Sequence, residues 1–213
     1  MNKSVISMVA LNALWYKHHL YQGSLPSPSP NAIADFVMAA NGVFLRAQRP
    51  GLSICLPVMQ PCFEAPVPGL QPLKAKIELA NGKIPRQYLE TVLAQSRLAL
   101  PNEIAFYLGT DYQLSIPAQN QSLTSCQPVP SRAYQSALVE IHSHGAASAF
   151  FSADDDVDET LFRIYAVVGK LARPSPEILV RLGFHGRFWL IPAALVFEFP
   201  QNITDVYPGS ELP

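Results

Sequence analysis

The sequence predicts a mixed α/β (α+β) domain preceded by a small module, and three observations carry that prediction. A helical pattern opening at Pro85 is followed by a series of short extended runs. A second set of apolar residues at helical spacing, over residues 158–170, comes before a closing pair of strands. Prolines are dense across residues 57–72. They set a boundary between a small N-terminal module (1–72), a main domain (73–200) and a polar tail (201–213).

Each element follows from local chemistry. Residues 1–22 read as mixed or helical, and 24–30 (S-L-P-S-P-S-P) as a stiff, extended connector. Residues 32–40 fit a short helix. Residues 43–46 and 52–58, around Arg49-Pro50-Gly51, fit a β-hairpin. Residues 74–79 form a strand closed by an Asn81-Gly82 turn. Pro85 starts a helix because a first turn needs no amide donor there. Leu89, Val92 and Leu93 are its buried stripe, with Arg86, Glu90 and Arg97 outward. Residues 103–108, 112–117, 122–128 and 137–144 read as successive strands, and 145–151 as a loop. In the 158–170 helix, Leu161, Ile164, Tyr165 and Val168 share a face. Residues 178–184 and 187–191 make a hairpin, and 194–199 is another extended run. No internal repeat is visible.

Composition narrows the function. Of 213 residues, 49% are hydrophobic and only 15% charged, against about 25% charged in average domains. A sizeable core is affordable, and part of the surface is apolar enough to meet a partner. The net charge of −1 implies no global attraction to nucleic acid or anionic membrane. The charge is uneven: residues 1–98 carry 9 basic and 4 acidic side chains, and residues 99–213 carry 6 and 12. The acidic half suits a cation. Cys55, Cys62 and Cys126 are odd in number and lack C-x-x-C spacing, which suits a reducing compartment. The apolar start, residues 5–16, is too short to span a bilayer and has no clear cleavage site. A folded amphipathic segment in a cytoplasmic protein is the expectation.

The chemistry concentrates in residues 138–155, L-V-E-I-H-S-H-G-A-A-S-A-F-F-S-A-D-D. On a strand, Glu140, His142 and His144 share one face and Val139 and Ile141 the other. Two imidazoles two residues apart sit about 6.5–7 Å apart at the backbone, so their ring nitrogens can converge on one cation. A carboxylate from Asp154, Asp155 or Asp156 can complete a three-ligand set. Two histidines and a carboxylate leave a position of tetrahedral zinc open, the pattern of a catalytic site. A lone His-x-His is more often mere polarity, and only confirming context favours a metal. Glu140, on the histidine face, fits a base or a partner that orients a histidine. Ser143 faces the other way and reads as structural. His18-His19 and His185 read as exposed residues. Cys126 with His142 makes a poor nucleophile pair. H-E-x-x-H, the H-x-E and P-C-x-x-C pattern of zinc deaminases, and a phosphate-cradling glycine loop are all absent.

His142-Ser143-His144, seven residues, then Ser152-Ala153-Asp154-Asp155 resembles H-[S/T]-H-x7-S-x-x-D of the JAMM (JAB/MPN+) metalloproteases. Residues 101–109 supply that family's upstream glutamate, Glu103, but carry Ala105 and Phe106 where cysteine and glycine are expected. The closing Gly109 comes one residue early. The resemblance spans about residues 75–200. It implies a curved mixed sheet sandwiched by helices, similar to the cytidine deaminase architecture. It also implies hydrolysis of an amide bond, often at the Gly-Gly end of a ubiquitin-like protein. By that resemblance His142, His144 and Asp155 hold Zn2+, Glu103 is the general acid/base and Ser152 donates to the oxyanion. A non-cleaving module of the same fold is the alternative. The stretches V-E-I-H-S-H, F-F-S-A-D-D-D-V-D-E-T and F-R-I-Y-A-V-V-G-K-L further resemble the JAMM-type proteins of PRTRC cassettes, gene sets of plasmids and other mobile elements. That implies a ubiquitin-like partner and a ThiF-like activating enzyme. Neither nucleic acid nor membrane is an expected partner.

Overall fold

The computed structural model describes residues 15–29, 31–58, 65–129, 131–209 and 212. Residues 5–14 of the apolar start, and Cys62, lie outside them. The chain divides into two compact units, the first ending at Glu78 and the second spanning Leu79–Leu212.

The first unit is built on a five-stranded sheet in chain order: β1 (Tyr16–Leu20), β2 (Ala34–Ala39), β3 (Gly42–Arg49), β4 (Leu52–Pro57) and β5 (Lys76–Leu79). β1 runs parallel to β2, and β2, β3 and β4 are antiparallel neighbours. The predicted hairpin is there, turning at Pro50 and Gly51, whose positive φ of 83° suits glycine. The predicted helix over 32–40 is instead β2. Strands pair with it on both edges, and Asp35, 2% exposed, bonds across the sheet to Arg46. Val37, Ala39 and Phe44 centre a small core. Tyr16–Leu20, in the segment expected to be mixed or helical, is likewise a strand.

The second unit opens with α1 (Arg86–Ala99), which buries Leu89, Val92, Leu93 and Ser96. Its sheet has the order β13-β12-β11-β10-β6-β7: β6 (Ala105–Leu108), β7 (Leu114–Ser115), β10 (Val139–Ser143), β11 (Arg163–Gly169), β12 (Glu177–Phe184) and β13 (Arg187–Ile191). β10 and β11 are parallel, and the other neighbours in that order are antiparallel, so the sheet is mixed. A separate hairpin joins β8 (Gln119–Gln121) to β9 (Cys126–Pro128). Short helices α2 (Arg132–Ser136) and α3 (Ala153–Asp158) flank β10 in sequence.

The predicted helix over 158–170 is a correction. α3 ends at Asp158, and Arg163–Gly169 is β11, a central strand with all seven residues buried. Strand neighbours on both sides and cover on both faces erase the period-2 alternation, so apolar residues fall at every spacing, including the helical one. The run 194–199 begins in a 3-10 turn, Ala193–Leu195. In the tail, β14 (Thr204–Asp205) pairs parallel with β12. His185 and Gly186 form the predicted two-residue turn before β13, both with positive φ, as a type I′ turn requires.

Register gives the sheet two characters. Phe106, Ile141, Ile164, Ala166, Val180, Leu182 and Ile191 alternate onto one face and are buried as core. The opposite face carries Glu140 and His142 on β10, Arg163 and Tyr165 on β11, and Arg181 on β12. Buried charge on one side of an otherwise apolar sheet marks where the chemistry sits.

Candidate metal centre

His142 and His144 reach one point because β10 is a true strand with both residues on its polar face. Their Nε2 atoms lie 3.1 Å apart. Asp155 comes from α3, and its Oδ1 is 3.4 Å from His142 Nε2. Together His142, His144 and Asp155 form a cluster whose candidate ligand atoms all lie within 4.8 Å of one another. A tetrahedron with arms of about 2.0–2.1 Å has edges of about 3.3 Å. Those two edges match that spacing and the third lies within 4.8 Å, so the three side chains could hold a zinc ion.

Both histidines are held neutral, as a ligand must be. Burial pushes the His142 imidazole down to about 4, Asp155 opposing this while His144 and Arg181 add to it. Burial likewise lowers His144, with Asp155 and the Ser148 backbone pulling the other way. Phe151 stands edge-on to His142 at 6.5 Å between ring centroids, and Phe150 edge-on to His144 at 4.5 Å.

The run of three aspartates is resolved by a capping box. Ser152 is the N-cap of α3. Its N–H and Oγ–H donate to Asp155 Oδ2 at 2.6 and 2.7 Å, while the Asp155 N–H donates to Ser152 Oγ at 3.2 Å. Oδ2 is thereby tied to the cap, and Oδ1 is presented to His142. Asp154 is exposed, and Asp156 turns to Arg181.

Glu103 precedes β6. His142 pairs with Ala105, and the Ser143 N–H donates to the Ile104 carbonyl at 3.1 Å. Continuing that antiparallel register sets Glu103 opposite His144, on the histidine face of the sheet. Burial first, and then the Asp155 charge, push its carboxyl up to about 7. Its N–H donates to the Ser122 carbonyl at 2.8 Å, tying it to the loop between β8 and β9. The Gln119 amide brackets Ala105 from the same hairpin, accepting from its N–H and donating to its carbonyl.

Glu140 shares the face but is committed elsewhere: Arg163, fully buried, donates to its Oε2 at 3.0 Å. Arg163 also bonds the Tyr134 carbonyl and lies 4.6 Å from the centroid of the Tyr134 ring. Ser143 faces the core, its Oγ accepting from the Ile104 N–H. Cys126 is pushed up to about 12 by burial and by the nearby carboxylates, which leaves the thiol inert. His18 stacks on Phe36 at 5.6 Å in the first unit, and His185 sits in its turn.

Two residues of this layer escaped the sequence reading, Arg163 and Arg181. The signal for both was an arginine inside an otherwise apolar run, F-R-I-Y-A-V-V and E-I-L-V-R-L-G-F. A charge placed there must be buried against a partner.

Residues 85–182 match the family model described as prokaryotic homologs of the JAB domain. No curated protein matches the chain. Among solved structures, the chain is similar to the solution structure of protein DSY2949 from Desulfitobacterium hafniense. That match has 18% identity and a TM-score of 0.35, and it covers 60% of this chain and 94% of the other.

Proposed function

We propose, from the match of residues 85–182 to the model of prokaryotic JAB homologs, that this chain is a zinc-dependent peptidase or isopeptidase. It hydrolyses an amide bond at the C-terminal tail of a ubiquitin-like protein. The observation that carries the reading is the pair of 3.1 and 3.4 Å edges joining His142, His144 and Asp155. Those three residues would hold the ion. Zinc bound by two histidines and a carboxylate supplies a Lewis acid that acidifies water to a pKa of about 7 and polarises a carbonyl.

The chain's own residues do the rest. Glu103, set opposite His144 on the histidine face, is placed to accept the proton lost by the attacking water and return it to the leaving amine. Glu140, tied to Arg163, is the poorer base. Asp155 Oδ2 accepts from both the Ser152 N–H and the Ser152 hydroxyl. Turning the hydroxyl hydrogen away from Asp155 would offer an O–H donor to the oxyanion, while the Ser152 N–H keeps its bond to Oδ2 and Oγ keeps the cap. A ThiF-like activating enzyme is the expected functional neighbour. Among the described residues no helix is long and apolar enough to cross a membrane.

One observation favours the second reading, a JAB-type module that docks a ubiquitin-like tail without cutting it: the Ser152 hydroxyl is engaged by Asp155. Metal analysis and a cleavage assay on ubiquitin-like fusions separate the two. Wild type should carry one zinc and cut, and His142→Ala and Asp155→Ala should lose the zinc. Glu103→Ala should keep zinc and lose cleavage. Protein that binds the tail, carries zinc and cuts no fusion supports the docking module. Protein that takes up no zinc removes both the metal and the hydrolase.

A further inference from the structure

Helix α3 carries Asp155 but has little of its own to hold it in place. It is six residues long and buries none of them, and so short a helix does not persist in water alone. The Ser152 capping box secures one end. At the other end lies Arg181 of β12, 3% exposed in a strand whose Ile178, Val180 and Leu182 are fully buried.

The Arg181 guanidinium is stacked between two rings, its carbon 3.9 Å from the centroid of Phe151 and 3.7 Å from that of Phe188. In that plane its Nε donates to Glu159 Oε2 at 2.7 Å and its NH1 to Asp156 Oδ1 at 2.5 Å. Asp156 follows Asp155 directly, and Glu159 is the C-cap of α3. Phe151 lies just before the cap and also stands edge-on to His142. A single planar cation thus joins the aspartate helix, the loop after His144 and the sheet.

We propose that Arg181 is a positioning residue that clamps α3 to the sheet and fixes Asp155 at the distance a metal requires. This rests on the reading of His142, His144 and Asp155 as zinc ligands. Lysine cannot fill the role. An ammonium is a point charge without the flat fork that meets two carboxylates while stacked between rings.

The test measures zinc affinity by competition with a chromophoric chelator, and amide hydrogen exchange in the metal-free protein. Arg181→Lys should weaken zinc binding about 10–100-fold and Asp156→Asn about tenfold. Both should speed exchange across residues 155–159 while leaving Val139–Ser143 unchanged. Asp156 is 57% exposed at its side chain, so Asp156→Asn reports on the clamp even where Arg181→Lys fails to fold. Asp154→Asn is the control. It removes the same charge from the same turn, but Asp154 is not among Arg181's partners, and affinity should change by about threefold or less. Equal losses in Asp154→Asn and Asp156→Asn, with exchange unaltered, would mean a field effect and overturn the clamp. If wild type takes up no zinc, the metal reading fails separately. Exchange alone then decides, faster exchange in Asp156→Asn supporting the clamp and unaltered exchange refuting it.

Discussion

Glu103→Gln exchanges a carboxyl for a neutral amide of the same shape at a residue that is 8% exposed. The Glu103 carboxyl is pushed up to about 7 from 4.5, by burial and by Asp155. Between those values the folded protein keeps a proton that the unfolded chain has released. Wild-type stability therefore falls as pH rises through that window. The amide cannot ionise and escapes the loss. The full shift corresponds to about 3 kcal/mol, and solvent reaching the open site screens part of it, leaving about 1–2 kcal/mol. Urea unfolding of metal-free protein should thus show Glu103→Gln gaining about 1–2 kcal/mol on wild type at about pH 8 relative to their difference at about pH 4. Activity should move the other way, down about 10²–10⁴-fold with zinc content unchanged. In wild type, cleavage should rise with pH toward the ionisation of Glu103. A stability difference that is the same at both pH values would show that the carboxyl is not held in a low-dielectric site beside Asp155. The assignment of Glu103 as a tuned base would then fall.

Three further substitutions probe the frame around the site. Ser152→Ala removes the cap of α3 and the O–H bond to Asp155. It should cost about 0.5–2 kcal/mol in unfolding free energy and about tenfold in zinc affinity by chelator competition. Arg163→Met strands Glu140 in the buried layer and should destabilise by about 3–5 kcal/mol. Adding Glu140→Gln should restore much of that loss in the same denaturation assay. Gly169→Ala would place a Cβ 2.5 Å from the Ala147 carbonyl oxygen, the Ala149 nitrogen and the Ser148 carbonyl carbon. All three are backbone atoms of the loop after His144, so the melting temperature should fall by the equivalent of about 1–3 kcal/mol.

The sequence by itself determined that two histidines are presented together. Side-chain direction on a strand has a period of two, so His142 and His144 had to share a face wherever that strand went. Asp155, by contrast, was picked from three aspartates only by the family resemblance, and the capping box then set it beside His142. It also determined the hairpins at Gly51 and at His185-Gly186 and the helix opening at Pro85, because turn chemistry and first-turn proline act within a few residues. Only the tertiary structure decided the identity of residues 163–169. Helical spacing of Leu161, Ile164, Tyr165 and Val168 is indistinguishable from a strand buried on both faces, and only pairing with β10 and β12 selects the strand. The same holds for residues 34–39, paired with β1 and β3. The roles of the three glutamates were likewise set in three dimensions. Register brings Glu103 opposite His144 across 41 positions of sequence, and Arg163 draws Glu140 away. Arg181 gathers Asp156 and Glu159 from 25 and 22 residues back. Local pattern fixes which way a side chain points, but the partner it meets, and hence its charge and role, depends on strands that come together only when the sheet closes.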